Sequence, residues 1–164
     1  MFSKRDLEDI ENRLHTKEID IHRPFTIQYS NDGSWEADFY YFRGAKEHYR
    51  SGAHFWLCCT TWLVDRSQGF QLLMAHRYPR HVHANLNTDS LLEKQNLYKV
   101  LSPEQFQATI EEYSLSLKNS NIPHTYVWEG QVLDAMQMSD EWNDQSFFAE
   151  TESEFLVFHW ETSA

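Results

Sequence analysis

Apolar residues at helical spacing mark the first element of the chain. They are Leu7, Ile10 and Leu14, which recur three and four residues apart and so share one face of a helix. Ser3 and Asp6 stand three residues apart at the start of this pattern, the arrangement of a capping box. The sequence therefore predicts an amphipathic helix over residues 3–17, with its charged side chains on the outer face.

The pattern changes to strict alternation between residues 25 and 41. The apolar members on the two sides of a polar turn are Phe25, Ile27, Tyr29, Trp35, Ala37, Phe39 and Tyr41. The turn itself is Asn31-Asp32-Gly33, and Asp-Gly supplies the positive φ angles that a tight hairpin needs. We predict a β-hairpin over this segment.

Residues 53–64 are apolar at odd and even positions alike. A strand with this composition is normally central in its sheet and covered on both faces. The polar segment 65–69 has the composition of a turn, so residues 70–76 are predicted to return as the second strand of another hairpin. Residues 77–87 show no periodicity and are predicted to form a loop.

The second half of the chain contains a clear helix start. Residues 88–101 are apolar enough for a helix, and the segment Ser102-Pro103-Glu104-Gln105 that follows favours a helix N-terminus. The apolar residues after it share one helical face, and they are Phe106, Ile110, Tyr113 and Leu117. Strands are predicted near residues 124–133 and 154–161, with residues 138–148 in the connection between them.

These elements predict the α+β fold class. The expected architecture is a single globular domain over residues 1–164, with an antiparallel sheet of about six strands and two or three helices packed against it. A chain of 164 residues is long enough to bury roughly two-thirds of its unfolded surface. Aromatic residues make up 15% of the chain, which favours a packed core over disorder.

Charge is distributed unevenly along the chain. Residues 119–164 contain nine of the 25 acidic residues and no Lys or Arg, whereas residues 1–118 contain the other 16 acidic residues against 14 basic ones. The last third therefore carries −9 of the formal net charge of −11. An ordinary solvated surface is one interpretation. Solubility would be served equally by mixed signs, so the complete absence of Lys and Arg favours a negative surface that binds a basic partner.

One aromatic residue within the acidic third strengthens that interpretation. Trp142 lies between Glu141 and Asp144 in a predicted loop, and an aromatic residue ringed by charge is typical of an interface anchor. A core position for Trp142 is the alternative. The predicted binding residues are Asp140, Glu141, Trp142, Asp144, Glu150, Glu152 and Glu154.

A histidine-rich segment is the second candidate site. Of the nine histidines, six lie within residues 48–124, and two of them, His81 and His83, fall on one side of an extended segment. Both imidazoles could reach one metal ion, and a third ligand would have to come from His76, from His124 or from a carboxylate. Two ligands do not define a site. A metal-dependent or histidine-based enzyme centred on His76, His81 and His83 is therefore an alternative, and no metal site is assigned.

Basic and aromatic residues between positions 43 and 80 would suit a nucleic-acid surface. Six Arg or Lys residues stand there against two acidic ones. The net charge of −11 opposes this function, because binding to duplex DNA draws on a basic face. We predict instead that these cations pair with the acidic third inside the fold or lie at turns, and that the chain binds no nucleic acid directly.

Catalytic motifs are absent from the sequence. It has no glycine-rich dinucleotide loop, no Gly-Lys-Ser/Thr phosphate loop, no Gly-x-Ser-x-Gly and no His-Glu-x-x-His. The neighbouring Cys58 and Cys59 are expected to be buried free thiols, because a disulfide between them would be strained. The longest apolar run, residues 55–64, is half a membrane span. No catalytic residue or cofactor is predicted, and a reducing, cytoplasmic location fits best.

The sequence favours a small acidic binding protein over an enzyme. The most concrete version is an immunity protein or antitoxin that neutralises a basic, nuclease-like toxin through an acidic, aromatic-containing face. A strongly acidic α+β domain without a catalytic motif has the general outline of such inhibitors, and many unrelated proteins share that outline. A related version is a nucleic-acid mimic whose carboxylates imitate phosphates and block a DNA-handling enzyme. The oligomeric state is not specified by these residues.

Overall fold

The computed structural model describes residues 1–21, 23–31, 37–77, 97–116 and 126–162. Within these ranges the helices are α1 (Lys4–His15), α2 (Gly52–Arg77) and α3 (Pro103–Ser116). The strands are β1 (Thr26–Asn31), β2 (Ala37–Ala45), β3 (Lys99–Leu101), β4 (Val132–Glu141), β5 (Asp144–Thr151) and β6 (Glu154–Thr162). A short 3-10 helix at Lys46–His48 links β2 to the segment before α2.

The described strands form one antiparallel sheet in the order β1-β2-β6-β5-β4-β3. The predicted α+β class, with about six antiparallel strands and two or three helices, is confirmed. The last strand, β6, lies in the middle of the sheet between β2 and β5. The C-terminal segment is therefore hydrogen-bonded to the N-terminal hairpin, which brings residues far apart in sequence into cross-strand register.

Both faces of the sheet are covered. Alternate residues of the central strands belong to two separate cores: Phe42 and Val157 pack with α1 and α2, whereas Tyr41 and Phe158 pack with α3. We refer to these as the α2 face and the α3 face. Because both faces of the central strands are buried, these strands are apolar at odd and even positions alike. The alternating pattern of apolar and polar residues is therefore lost from their sequences.

The predicted first helix and first hairpin are confirmed. Ser3 caps α1: its hydroxyl accepts a hydrogen bond from the Asp6 amide at 3.3 Å, and the Asp6 carboxylate accepts one from the Ser3 amide at 2.7 Å. Strands β1 and β2 pair from Thr26 opposite Arg43 to Asn31 opposite Asp38. The turn between them, residues 32–36, lies outside the described residues.

The predicted strand at 53–64, the turn at 65–69 and the strand at 70–76 were wrong, because the whole segment is one helix, α2. Residues 53–59 are all buried. The sheet covers one side of α2, and helix α1 together with the segment after α1 covers another side. For example, His54 Nε2 forms a hydrogen bond with the Asp20 carbonyl oxygen at 2.8 Å. A helix buried all round has no amphipathic period, and an apolar run of this length exceeds an average strand of about 5–6 residues.

The boundaries predicted in the second half were partly wrong. Of the helix expected at 88–101, residues 88–96 lie outside the described residues, and the end forms strand β3. The strand expected near 124–133 begins only at Val132. The expected connection at 138–148 is instead a hairpin, with β4 running into β5. Helix α3 and strand β6 are confirmed at their predicted positions, and residues 78–87 of the predicted loop lie outside the described part.

No helix in the part of the chain that the structure describes is long and apolar enough to cross a membrane.

Candidate functional site

The structure separates the seven predicted binding residues into two groups at opposite ends of the sheet. The end with the β4–β5 turn holds Asp140, Glu141, Trp142 and Asp144. The end with the β5–β6 turn holds Glu150, Glu152 and Glu154. Strand β5 between them has eight residues, so the two ends lie roughly 25 Å apart. The seven residues therefore cannot act as one contact surface for a small epitope.

Acidic residues at the β5–β6 end are largely neutralised by bases from earlier in the chain. The Glu154 carboxylate accepts two hydrogen bonds from Arg43, at 2.8 and 3.0 Å, and its side chain is only 12% exposed. Lys46 pairs with Glu150 at 2.5 Å. This confirms the prediction that cations of the 43–80 segment pair with the acidic third. Of the three acids at this end, Glu152 alone is fully on the surface.

At the opposite end, carboxylates are lined up across four strands. Asp38 of β2, Glu161 of β6, Asp144 of β5 and Glu141 of β4 are consecutive cross-strand partners. Cross-strand partners share a face and lie about 5 Å apart at Cβ, so like charges in register repel one another. We call these four residues the acidic row. It includes Asp38, which charge counting over the last third could not have found.

Hydrogen bonds hold two members of the acidic row in place. The Tyr29 hydroxyl donates to Asp38 at 2.5 Å, and the Ser139 hydroxyl donates to Asp144 at 2.8 Å. The Asp144 side chain is 13% exposed, whereas Glu141 is on the surface. Hydrogen bonds therefore order Asp38 and Asp144 within the row.

The buried side chain of His159 supports Glu161, the member of the row on strand β6. His159 Nε2 lies 3.3 Å from the Glu161 carboxylate, and His159 Nδ1 lies 2.7 Å from the Ser146 hydroxyl. This hydrogen bond from His159 is the main reason that the pKa of Glu161 is held below its ordinary value, against the opposing effect of burial. Arg66 forms an ion pair with the same carboxylate at 3.4 Å. Glu161 therefore stays ionised at neutral pH.

The order Ser146, His159, Glu161 also has the connectivity of a nucleophile, a base and an acid. Ser146 is 4% exposed and His159 is 7% exposed, and both lie on the α2 face of central strands. The Ser146 hydroxyl is therefore closed to a substrate carbonyl in this structure. The chain of hydrogen bonds thus positions the acidic row and does not form an open hydrolytic site. Sequence reasoning missed this network, because only the strand register brings the three residues together.

Trp142 stands beside the acidic row at the tip of the β4–β5 turn. Its side chain is 72% exposed, the highest value among the large hydrophobic residues that the structure describes. A core position, the alternative considered for this residue, is thereby excluded. Neither Trp142 nor Asn143 has a positive φ angle, so this turn lacks the glycine that usually identifies a hairpin in a sequence.

On the α3 face, a cavity of about 740 Å³ lies between α3 and the same end of the sheet. Aromatic and amide side chains that line it include Phe39, Tyr113, Phe147, Trp160, Gln137 and Gln145. A volume of this size falls in the range of about 300–1,000 Å³ that is usual for ligand sites. None of these six residues was predicted, because their side chains converge only through the sheet register and the packing of α3.

The other predicted features have mixed outcomes. His76 lies in α2, and His81 and His83 lie outside the described residues, so the histidine site stays a prediction. Within the described ranges, no three His, Cys, Asp or Glu side chains form a group that could hold a metal ion. Cys58 and Cys59 are buried free thiols, as predicted, and burial raises the pKa of the Cys59 thiol.

Comparison of the chain with protein-family models, with curated proteins and with solved structures finds no match. A functional assignment must therefore be argued from the chemistry of the site.

Proposed function

We propose that this chain is a binding protein that occludes a basic protein partner with one end of its sheet. The contact surface consists of the acidic row together with Asp140 and Trp142, and we call it the acidic end. The observation that carries the proposal is the register of four carboxylates beside a 72% exposed tryptophan. The most concrete partner is a cationic toxin such as a nuclease, which the chain would neutralise as an immunity protein or antitoxin.

Physical chemistry gives the two components of the acidic end separate roles. Aligned carboxylates repel one another in the free protein, and a cationic partner relieves that repulsion on binding. Their field also steers a basic partner and raises the association rate. Trp142 offers a large rigid apolar surface that is desolvated only in the complex, which sets the dissociation rate.

The same features support a partner that handles nucleic acid. A protein that binds nucleic acid presents a cationic surface to a regular array of phosphates. A rigid row of carboxylates can occupy such a surface, so nuclease toxins and other DNA-handling enzymes are both suitable partners. Buried free thiols at Cys58 and Cys59 agree with a reducing, cytoplasmic setting, which is part of the proposal.

Trp142→Ala tests the anchor. We expect the variant to lose at least about 30-fold in affinity for the partner, the cost of a hot-spot residue, while its free energy of unfolding changes by less than about 0.5 kcal/mol. The measurement is affinity capture from an extract of the native host, quantified by mass spectrometry, with wild type and variant immobilised at equal density. A basic protein retained by the wild type and lost by the variant is then purified for binding kinetics.

Glu152→Lys is the matched control for that experiment, since Glu152 is also an exposed residue at a turn but lies at the other end of the sheet. It should retain the same basic protein as the wild type. Equal capture of all basic proteins by wild type and by Trp142→Ala would contradict the proposed anchor.

Glu141→Lys tests the acidic row. The substitution removes the like-charge pair with Asp144, so we expect the free protein to gain about 0.5 kcal/mol in its free energy of unfolding. Association with the basic partner should slow by about tenfold at low salt, and the difference should shrink as salt is added. Stopped-flow association rates and urea unfolding measure the two effects. An association rate equal to that of the wild type at low salt would rule out a steering role for the row.

A further inference from the structure

The cavity beneath α3 adjoins the acidic end at Asp140, on the opposite face of the sheet from the acidic row. Its floor includes Phe39, Trp160 and Gln145, which are consecutive cross-strand partners that end at Asp140. Each member of this second row precedes or follows a member of the acidic row by one residue. The two rows therefore lie roughly 3.3 Å apart along the strands, on opposite faces of the same sheet end.

Aromatic faces form much of the cavity wall. The Tyr113 ring lies 6.2 Å from that of Trp160, 6.1 Å from that of Phe147 and 6.0 Å from that of Phe39, measured between centroids. Trp160 and Tyr113 are partly exposed and line the cavity. Planar cations stack favourably on such faces, and tryptophan is the most effective of the aromatic side chains.

A side-chain amide that lines the cavity offers a hydrogen-bond acceptor. Gln137 is only 8% exposed and lines the cavity. Its amide nitrogen donates to the Ser139 carbonyl oxygen at 3.4 Å, whereas its amide oxygen accepts no hydrogen bond from the residues that the structure describes. The neighbouring Gln145 is engaged, because its amide oxygen accepts from the Tyr113 hydroxyl and its nitrogen donates to Asp140 at 3.1 Å. An amide oxygen that has no protein partner at the cavity is available to a ligand that donates a hydrogen bond.

Two carboxylates lie at or beside the cavity. Glu112 lines it, and Asp140 lies directly beside it. Burial, with a smaller contribution from the charges of Glu112 and Asp140, raises the pKa of Tyr113 to about 12, so the field of both carboxylates reaches the aromatic wall. Helix α3 contains three acidic residues and no Lys or Arg. Among the lining residues that the structure describes, Lys99 of β3 is the one cation, and it opposes this field from the edge of the sheet.

We propose that this cavity receives an arginine side chain of the basic partner. A guanidinium group is planar, carries five donors and no acceptor, and stacks on aromatic rings. It therefore satisfies the aromatic wall, the open Gln137 oxygen and the two carboxylates at once, whereas a lysine ammonium lacks the plane and two of the donors. The inference rests on the proposed function, because the same partner would contact the acidic end and the cavity. The cavity supplies specificity that a charged surface alone does not.

The test uses N-acetyl-arginine amide as the probe and needs no knowledge of the partner. The experiment uses the Trp142→Ala variant, so that binding of the probe at the exposed β4–β5 turn gives no indole signal from Trp142. NMR spectra of the Trp160 indole N–H and of the Gln137 side-chain amide are recorded during titration with the probe. We expect saturable shifts of both signals, and binding at least about threefold weaker for N-acetyl-lysine amide, since stacking on the aromatic wall is lost.

Three substitutions, each added to the Trp142→Ala variant, test whether charge at the cavity changes the affinity for the arginine probe in the expected direction. Glu112→Gln and Asp140→Asn should each weaken arginine binding by about threefold, because each removes a carboxylate from the cavity or its edge. Lys99→Ala should strengthen binding by about twofold, because it removes the opposing cation. Glu111→Gln is the matched control, since it removes a charge from the same helix at a residue that does not line the cavity, and it should have the smallest effect.

The outcomes separate this inference from the proposed function. Absence of saturable shifts, equal binding of the lysine and arginine probes, or weaker binding by Lys99→Ala would each overturn the arginine site. None of these results would affect capture of a basic partner by Trp142, which is measured independently. Conversely, arginine binding with no partner captured would retain the cavity as an arginine site and overturn the acidic end as a docking surface.

Discussion

Phe158→Ala is expected to lower the free energy of unfolding by about 3–5 kcal/mol, the cost of emptying a fully buried aromatic site. The Phe158 side chain has no exposed surface and lies at the centre of the α3 face. Its nearest aromatic neighbours are Tyr113 and Tyr126, with ring centroids 5.2 and 5.3 Å away. Because the interior is close-packed, these rings cannot all move to fill the space that the substitution leaves. Guanidinium chloride unfolding followed by circular dichroism measures the loss.

Trp142→Ala provides the comparison, since it also truncates a large aromatic residue in the same sheet. Its expected change is below about 0.5 kcal/mol, because the side chain is 72% exposed. Phe158→Leu should fall between the two, at about 1–2 kcal/mol, because it retains most of the buried volume. A loss below about 1 kcal/mol for Phe158→Ala would mean that α3 does not pack on the sheet as described, and the cavity beneath it would lose its basis.

Local sequence patterns predicted the elements that have one solvent-exposed face or a turn with a specific sequence. Helix α1 was predicted because its outer face is charged and Ser3 caps it. The β1–β2 hairpin was predicted from alternation and from Asp32-Gly33. These signals depend on residues close in sequence, so one chain is enough to read them.

The remaining elements lack such signals for physical reasons. Helix α2 is buried on several sides along residues 53–59, which removes the difference between an inner and an outer face. Strands β4 and β5 are covered on both faces, and the turn between them, at Trp142 and Asn143, has no positive φ angle and no glycine. Length was the better guide in α2, because a run of apolar residues that long favours a helix over a strand.

The candidate site was predictable in composition but not in arrangement. The charge count favoured an acidic surface, whereas for Trp142 the sequence left an exposed and a core position open, and only the structure decides between them. Which carboxylates are neutralised did not follow, since Arg43 and Glu154 are 111 residues apart in the chain. The acidic row likewise depends on β6 inserting between β2 and β5, which brings Asp38 next to Glu161.

Glu154→Ala is expected to lower the free energy of unfolding by about 2–3 kcal/mol, near the lower limit for breaking a buried ion pair because Arg43 remains 24% exposed. The carboxylate also accepts a hydrogen bond from the Glu129 amide at 2.8 Å, so the loop before β4 loses a contact as well. Arg43 would be left with a charge that no described neighbour satisfies, since its Nε already has no hydrogen-bond partner there. Urea unfolding measures the loss of stability, and association kinetics measure binding.

A double variant distinguishes a lost ion pair from a lost contact. Arg43→Met combined with Glu154→Ala removes the stranded charge, so it should recover at least about 1 kcal/mol relative to Glu154→Ala alone. Both variants should bind the basic partner at the rate of the wild type, because Glu154 lies at the neutralised end of the sheet, roughly 25 Å from Trp142. Glu141→Lys should show the opposite combination, with slower association and no loss of stability. If Glu154→Ala slowed association as much as Glu141→Lys does, the partner would contact both ends, and the division of the acidic residues into a structural and a binding group would be wrong.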